Sequence, residues 1–496
     1  MKNLRILLFV VAASLFSACN DAIDIIQPSE LTPEVAFETV EDLRLGLNGV
    51  YSGAGGENII LFTSLFTDEV KLGKANGGQG TNGELAFQLN AASGDPGSIW
   101  LSNYTLINYA NRLIAGAANV TPAEGEEDEY NDIIAQARVL RAWAHFQLLT
   151  FFSEDMTNDS ALGVIAVDFV PTTNQQLPRN TNAEVYALIE SDFAYADENL
   201  IRFANRSTNR TAVSIDFVNA LRSRMALYRG KYSEAETLAD ALMTGTQYPL
   251  TVRGEVSSDG VTYQGAYYLM FKNTNATSQE TIFKLERTIG GLGNFYQYWA
   301  SVNSTIAGSP FYEVSSALFN LVNNPTDGRR SVIVDISAAP AYTIRPVGKY
   351  TDGNEQLNLL GDVQIFRSSE LRFIKAEARA NAGDLAGAME YVNLVRRARN
   401  NSTRTGTEGI LPVPDNVTDV WKAILQERRI ELAFEGFRYT DLRRLGAKAN
   451  VTVDRSAADC AFNDACTLPI DDHRWIMPIP LEELQANRNI QQNPGY

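Results

Sequence analysis

Three carboxylates recur about one helical turn apart near the C-terminus. Glu427, Glu431 and Glu435 fall in the run QERRIELAFEGFRYTDLRRLG (residues 426–446), with Arg428, Arg429, Arg438 and Asp441 close by. Paired carboxylates are the working groups of glycoside hydrolysis. Such pairs usually flank the scissile bond from different elements, whereas this spacing predicts all three acids on one helix. In that setting acids and arginines form ion pairs that lock the helix to its neighbours, and a structural network is the expected role.

Other catalytic signatures are missing from the sequence. There is no G-x-S-x-G elbow, Walker loop, dinucleotide fingerprint or zinc-protease helix. The run GGQGTNG is glycine-rich but lacks the lysine and the strand-to-helix setting of a phosphate loop. Histidine occurs twice, as His145 and His473, and His145 sits inside an apolar helical run that predicts a packed side chain. With no thiolate cluster beside them, a metal centre is not expected, and no acidic loop has EF-hand spacing. No cofactor is expected either.

The amino terminus carries chemistry of another kind. Lys2 and Arg5 precede an apolar stretch at residues 6–16, and Ser17-Ala18 lead to Cys19. This is the pattern of a secretory signal, and the apolar stretch is too short to span a bilayer. Cys19 after small residues resembles the lipobox of bacterial lipoproteins, in which the thiol is acylated and becomes the mature N-terminus; Phe16 stands where leucine is commoner. Asn20, Asp21 and Asp24 follow, compatible with an acidic surface-export signal. Removing residues 1–18 takes two basic side chains and no acid, leaving 40 basic against 59 acidic residues. A charge near −19 is a poor match for nucleic acid or anionic lipid and is compatible with a neutral ligand. Export also makes a local disulfide between Cys460 and Cys466 the expected state of the remaining cysteines.

The elements that must position these groups are helical hairpins. GKYSEAETLADALM from Gly230 and GDLAGAMEYVNLV from Gly383 align with an offset of 153, matching Gly230, Tyr232, Ala235, Ala239 and Leu242 to Gly383, Leu385, Ala388, Val392 and Val395. Each follows another helical run, and the G-x-[YL]-x-x-A corner resembles that of a tetratricopeptide repeat. Residues 131–152 put Ile133, Ala137, Leu140, Ala144, Leu148 and Phe151 on one face, with residues 98–117 as the partner helix. Trp100 and Trp143 belong to these helices and are expected in the core. Thr181 and Glu184 form a capping-box signature. Residues 73–98 read as exposed loop, residues 251–366 as an irregular stretch with β-prone runs such as ETIFKLER and RRSVIVDI, and residues 401–418 as a polar connection. The fold class is mostly α: a tetratricopeptide-like scaffold with large loop and short-strand insertions.

Specific motifs now place the chain. Residues 426–446 resemble the signature helix of the SusD/RagB family, and the terminal RWIMPIPLEELQANRNIQQNPGY resembles that family's ending. AFETVEDLRLGLNGVY resembles its first mature helix, and VPTTNQQLPRNTNAEVYALIESDF the lead-in to a middle helix. The resemblance implies a non-enzymatic, lipid-anchored protein on the outer face of the outer membrane. It implies a SusC-like TonB-dependent transporter as partner and a glycan as ligand, with the repeats facing the transporter and the insertions shaping the ligand surface. The alternative is a peptide-binding or purely structural subunit of a similar uptake complex. The expected organisation is a signal peptide at 1–18, an N-terminal hairpin region at 19–250, the ligand-shaping insertion at 251–366 and a C-terminal region at 367–496.

Sugars are gripped by aromatic faces and planar hydrogen-bonding groups. The densest aromatic cluster outside a helical pattern is NFYQYWA (294–300), which makes Tyr296, Tyr298 and Trp299 candidates. Alternation sends Tyr296 and Tyr298 to one face and Trp299 to the other; packing of the insertion is the competing role. Asp68 and Arg367 are further candidates for hydroxyl contacts, with structural ion pairing as the alternative for each.

Overall fold

Side-chain caps fix where the first helices begin. Thr39 and Asp42 close a capping box on α1 (Val40–Gly53), and Thr181 with Glu184 does the same further along the chain. In the computed structural model, residues 37–73, 76–77, 83–201, 210–244, 248–254, 265–271, 278–287, 299, 310–335, 344–350, 361–403 and 405–496 are described. After α1 come α2 (Glu57–Leu65), α3 (Gly94–Ala117), α4 (Glu127–Phe152), α5 (Asn182–Asn199), α6 (Ile215–Tyr228) and α7 (Tyr232–Met243). The second half contributes α8 (Ser316–Val322), α9 (Ser368–Asn381), α10 (Leu385–Asn400), α11 (Val417–Glu431) and α12 (Arg438–Ala449), with a few shorter turns.

α4 is the central beam. From Asp132 to Phe152 every side chain except Arg138 and Gln147 is buried, because α3 covers one side, α5 the other, and α1 packs across. His145 is sealed inside it: its Nδ1 lies 3.0 Å from the Arg141 carbonyl, and its Nε2 accepts the Val167 N–H at 3.2 Å. Burial pushes its pKa down to about 3, so the ring is neutral.

The two related hairpins, α6–α7 and α9–α10, turn through the same corner. Gly230 and Gly383 adopt φ of +73° and +80°, a region that glycine enters without a Cβ penalty. The residue after each glycine reaches back five positions, Lys231 N–H to the Ala226 carbonyl and Asp384 N–H to the Arg379 carbonyl, both at 2.9 Å. These bonds satisfy the carbonyls that the helix end leaves open. Ala235 and Ala388 are fully buried at the matched positions and let the second helix come close. Although residues 251–366 separate them in sequence, the hairpins stack directly, α7 on α9. Arg379 and Lys375 of α9 pair with Glu236 of α7 across that contact.

The excursion between them is stitched to the body by strands. β2 (Thr281–Leu285) pairs antiparallel with β4 (Val363–Arg367), and β1 (Val70–Leu72) pairs antiparallel with β3 (Tyr312–Val314). The excursion therefore shares the core of the scaffold. Of the β-prone runs, ETIFKLER forms β2; Arg330–Ile333 of RRSVIVDI is instead a helical turn, followed by a bridge from Val334 to Val347.

Two further expectations change. Residues 73–98 are not all exposed loop: Asn76, Leu85 and Phe87 are buried, and α3 starts at Gly94. The signature segment at 426–446 is not one helix. It breaks after Glu431, and the chain reverses through Phe434 (φ +61°) and Gly436 (φ +86°) before α12. Glycine at 436 permits the reversal. Glu435 sits in this corner and not on the helix with Glu427 and Glu431.

Candidate polar cleft and its charged support

Glu431 is the centre of a dry charge lattice. Arg399 Nη2 meets its Oε1 at 2.8 Å, Arg329 Nη1 lies 3.4 Å from Oε2, and Arg367 donates to it as well. Glu427 takes Arg329 and Arg396, each at 2.5 Å. Glu435 takes Arg367 Nε at 2.8 Å and also Lys349. Burial disfavours the charged carboxylate, but Arg399 and Arg367 outweigh it and hold Glu431 well below the usual range. All three acids are thus engaged by buried cations. The ion-pair role is what the geometry provides.

Arg367 is therefore inside the lattice, 1% exposed, and out of reach of a ligand. Asp68 is fully buried too. Arg438 approaches it side-on, Nε to Oδ1 and Nη2 to Oδ2, both at 2.8 Å, while Arg429 stands 3.3 Å away and the Asp454 N–H donates at 3.1 Å. Burial again opposes ionisation, and Arg429 and Arg438 keep Asp68 below the ordinary carboxylate range. Trp299 is 1% exposed and packs on Phe434 and Tyr312, with ring centroids 5.7 and 6.3 Å apart. For Asp68, Trp299 and Arg367 the competing structural role is the one this packing provides. Tyr296, Tyr298 and Cys19 lie outside the described residues. Cys460 and Cys466 are joined in a disulfide, with Cα atoms 5.3 Å apart.

The Asp68 cluster supports a cleft of about 620 Å³. Asn320 and Leu321 of α8 form one wall, Lys422, Gln426 and Arg429 of α11 the next, and residues 450–454 with Ser456 and Thr467 complete it. Local sequence explains the last wall. Asn450 ends α12 in the left-handed conformation (φ +51°), which asparagine tolerates, and the Val451 N–H returns to the Gly446 carbonyl at 3.0 Å. The chain then continues without regular structure to Asp454, whose own N–H rests on Asp68. Buried Arg438 and half-buried Arg429 are thereby fixed at the base, while Asn320, Lys422, Gln426, Asn450 and Asp454 are exposed. The lining offers amides, hydroxyls and cations, the groups that meet sugar hydroxyls. It contains a single carboxylate, Asp454, where glycoside hydrolysis needs two. Among the described residues no group of three metal-ligating side chains converges, and no helix is long and apolar enough to cross a membrane.

The family model described as the SusD family matches residues 335–496. The model described as starch-binding associating with outer membrane matches residues 23–214. The chain belongs to the SusD/RagB family. A SusD-like protein, P2, of Formosa agariphila is 25% identical, with both chains covered in full. Among solved structures, a SusD-like carbohydrate binding protein from Bacteroides vulgatus superposes with a TM-score of 0.68 at 20% identity, covering 92% of this chain and 98% of its own. A laminarin binding SusD-like protein superposes at 0.67 with 23% identity, covering 93% of this chain and all of its own. At those identities the structural likeness speaks for the SusD fold. The mostly helical class expected from the sequence is the one observed.

The cleft residues escaped the sequence reading. Gln426, Asn450 and Asp454 belong to no motif of sugar chemistry and meet only because α11, α12 and the chain after Asn450 fold back on Asp68. The legible signal was the disulfide segment beside them, whose neighbours Ser456 and Thr467 both face the cleft.

Proposed function

We propose that this SusD/RagB protein is a surface-exposed lipoprotein, acylated at Cys19, that captures oligo- or polysaccharide without cleaving it. It then passes the glycan to a SusC-like TonB-dependent transporter in the outer membrane. The observation that carries the reading is the preformed polar cleft, with amide, hydroxyl and cationic groups mounted on buried ion pairs and one carboxylate only. The match to a starch-binding family model and the likeness to a laminarin binding protein support a glycan as ligand. Family membership supports the transporter as partner, and the Ser17-Ala18-Cys19 sequence supports the lipid anchor.

The reading is tested with the mature protein on a glycan array spanning neutral and acidic polysaccharides. Saturable binding to at least one class is expected, with no release of reducing ends. A folded protein that binds nothing on the array overturns it. In cells, labelled palmitate should enter the wild-type protein and not the Cys19→Ala variant, and a TonB-dependent transporter should co-purify from outer membranes.

A further inference from the structure

The chain carries 42 basic against 59 acidic side chains, so as a whole it repels anions. The cleft is charged the other way. Lys422, Arg429 and Arg438 line it, and Asp454 is the one acid among the lining residues. Whether those cations act on a ligand depends on which acids neutralise them.

Behind the lining, a single carboxylate is shared. Arg438 takes both oxygens of Asp68 at 2.8 Å. Arg429 reaches Asp68 Oδ1 at 3.3 Å and the Asp68 carbonyl at 2.8 Å, both through Nη2, and its buried Nε has no acceptor. Arg455 also acts on Asp68, yet its guanidinium donates to the carbonyls of Leu65, Thr67, Leu85 and Ala465. The neighbouring acid, Glu69, is pushed up to a pKa of about 7 by burial and so carries little charge below neutrality. Asp441 faces Arg438 as well, but Arg428 and Arg444 already hold it. At the mouth, Lys422 is exposed, and Asp419 one turn before it accepts the Asn416 amide. Lys422, Arg429, Arg438 and Arg455 therefore stand against Asp68 and Asp454, and positive charge is left over.

Its placement suits a chain of charged units. Lys422, Gln426 and Arg429 recur on one face of α11, a row of two turns and about 10 Å. Leu321, Leu425 and Val453 supply apolar wall beside it, which concentrates the field of the cations inside the cleft.

We infer that the cleft selects acidic polysaccharides, drawing carboxylate or sulfate groups of the glycan to Lys422 and Arg429 while Gln426, Asn450 and Ser456 meet its hydroxyls. The inference rests on the glycan-capture reading and deepens it by naming the class of glycan.

Isothermal titration of the mature protein with alginate, polygalacturonate, dextran sulfate, laminarin and amylopectin measures it. At least one of the three acidic polymers should bind about tenfold more tightly than either neutral one. Binding of alginate or polygalacturonate identifies a carboxylate as the recognised group, and binding of dextran sulfate alone a sulfate. Raising NaCl from about 0.1 M to about 1 M shortens the screening length from about 10 Å to about 3 Å and should weaken the interaction. Lys422→Glu should bind about tenfold more weakly, the scale of one charge-assisted contact. Because Lys422 is exposed, the thermal midpoint of that variant should match wild type. Lys231→Glu makes the same charge change at an exposed position in the α6–α7 corner and should bind as wild type does. If laminarin or amylopectin binds as tightly as the acidic polymers, the inference falls while glycan capture stands. The same holds if Lys422→Glu stays within twofold of wild type, or if Lys231→Glu weakens binding equally. If none of the five polymers binds, both fall.

Discussion

Arg438 grips Asp68 through the Nε–Nη2 edge of its guanidinium, two contacts of 2.8 Å that join residues 370 positions apart. The pair is buried and forms the floor under Arg429 and Asp454, so removing one partner leaves an uncompensated charge. Asp68→Ala should destabilise the fold by about 3–5 kcal/mol, read as a lower urea midpoint. Binding at the cleft should weaken in parallel. A variant with wild-type stability would show that the pair is not what supports this wall.

The next residue behaves in the opposite way. Glu69 is buried with Ser64 Oγ and the Phe434 N–H as partners, and desolvation pushes its pKa up to about 7 from 4.5. The folded state then holds the proton more tightly than the unfolded chain. This contribution is intact below about pH 4.5 and is lost as pH rises through about 7, each tenfold difference in proton affinity being worth about 1.4 kcal/mol. Replacing Glu69 by Gln should make the protein more stable than wild type at pH 8 and close to it at pH 4.5. Parallel urea titrations of the two proteins at both values check the sign.

Glu431 accepts three arginines from three separate elements, Arg329, Arg367 and Arg399. Glu431→Ala should cost about 3–5 kcal/mol, and Glu431→Gln less, since the amide keeps one acceptor. Reducing-end assays on wild-type protein should stay at background with every polysaccharide it binds. Hydrolysis that vanished in a folded Glu431→Gln variant would mean the lattice hides an acid catalyst.

At Gly383 a Cβ would meet nothing within 4 Å, yet φ is +80°. Gly383→Ala therefore isolates the backbone contribution and should lose about 1–2 kcal/mol. Calorimetry should show a lowered midpoint with ligand binding unchanged. A neutral effect would mean that the corner relaxes out of the left-handed region.

Local chemistry was readable in advance and long-range convergence was not. The Thr181–Glu184 cap, the glycine corners and the buried face of residues 131–152 depend on neighbours within a turn or two, so periodicity finds them. The break at 432–437 did not show, because the apolar and charged spacing of a helix continues through Phe434 and Glu435 while one left-handed glycine redirects the chain. For Asp68 and Arg367 the sequence favoured structural ion pairing over ligand contact but could not name the partners. The partner of Asp68 comes from 370 positions away, and those of Arg367 are Glu280 ahead of β2, Glu431 at the end of α11 and Glu435 in the corner beyond it. No local pattern reveals such meetings. Trp299 was open between ligand stacking and packing of the insertion, and its packing partner, Phe434, is supplied by that unseen corner.

Glu280 draws together Thr251 where the excursion leaves the body, Arg367 where it returns, and Arg399 of α10. Both ends of some hundred residues are thus knotted at one carboxylate, and β2 with β4 seals the neck. Because Arg329 and Lys349 of that same excursion pair with Glu431 and Glu435, a rearrangement beyond the neck is transmitted straight to the helices that hold it.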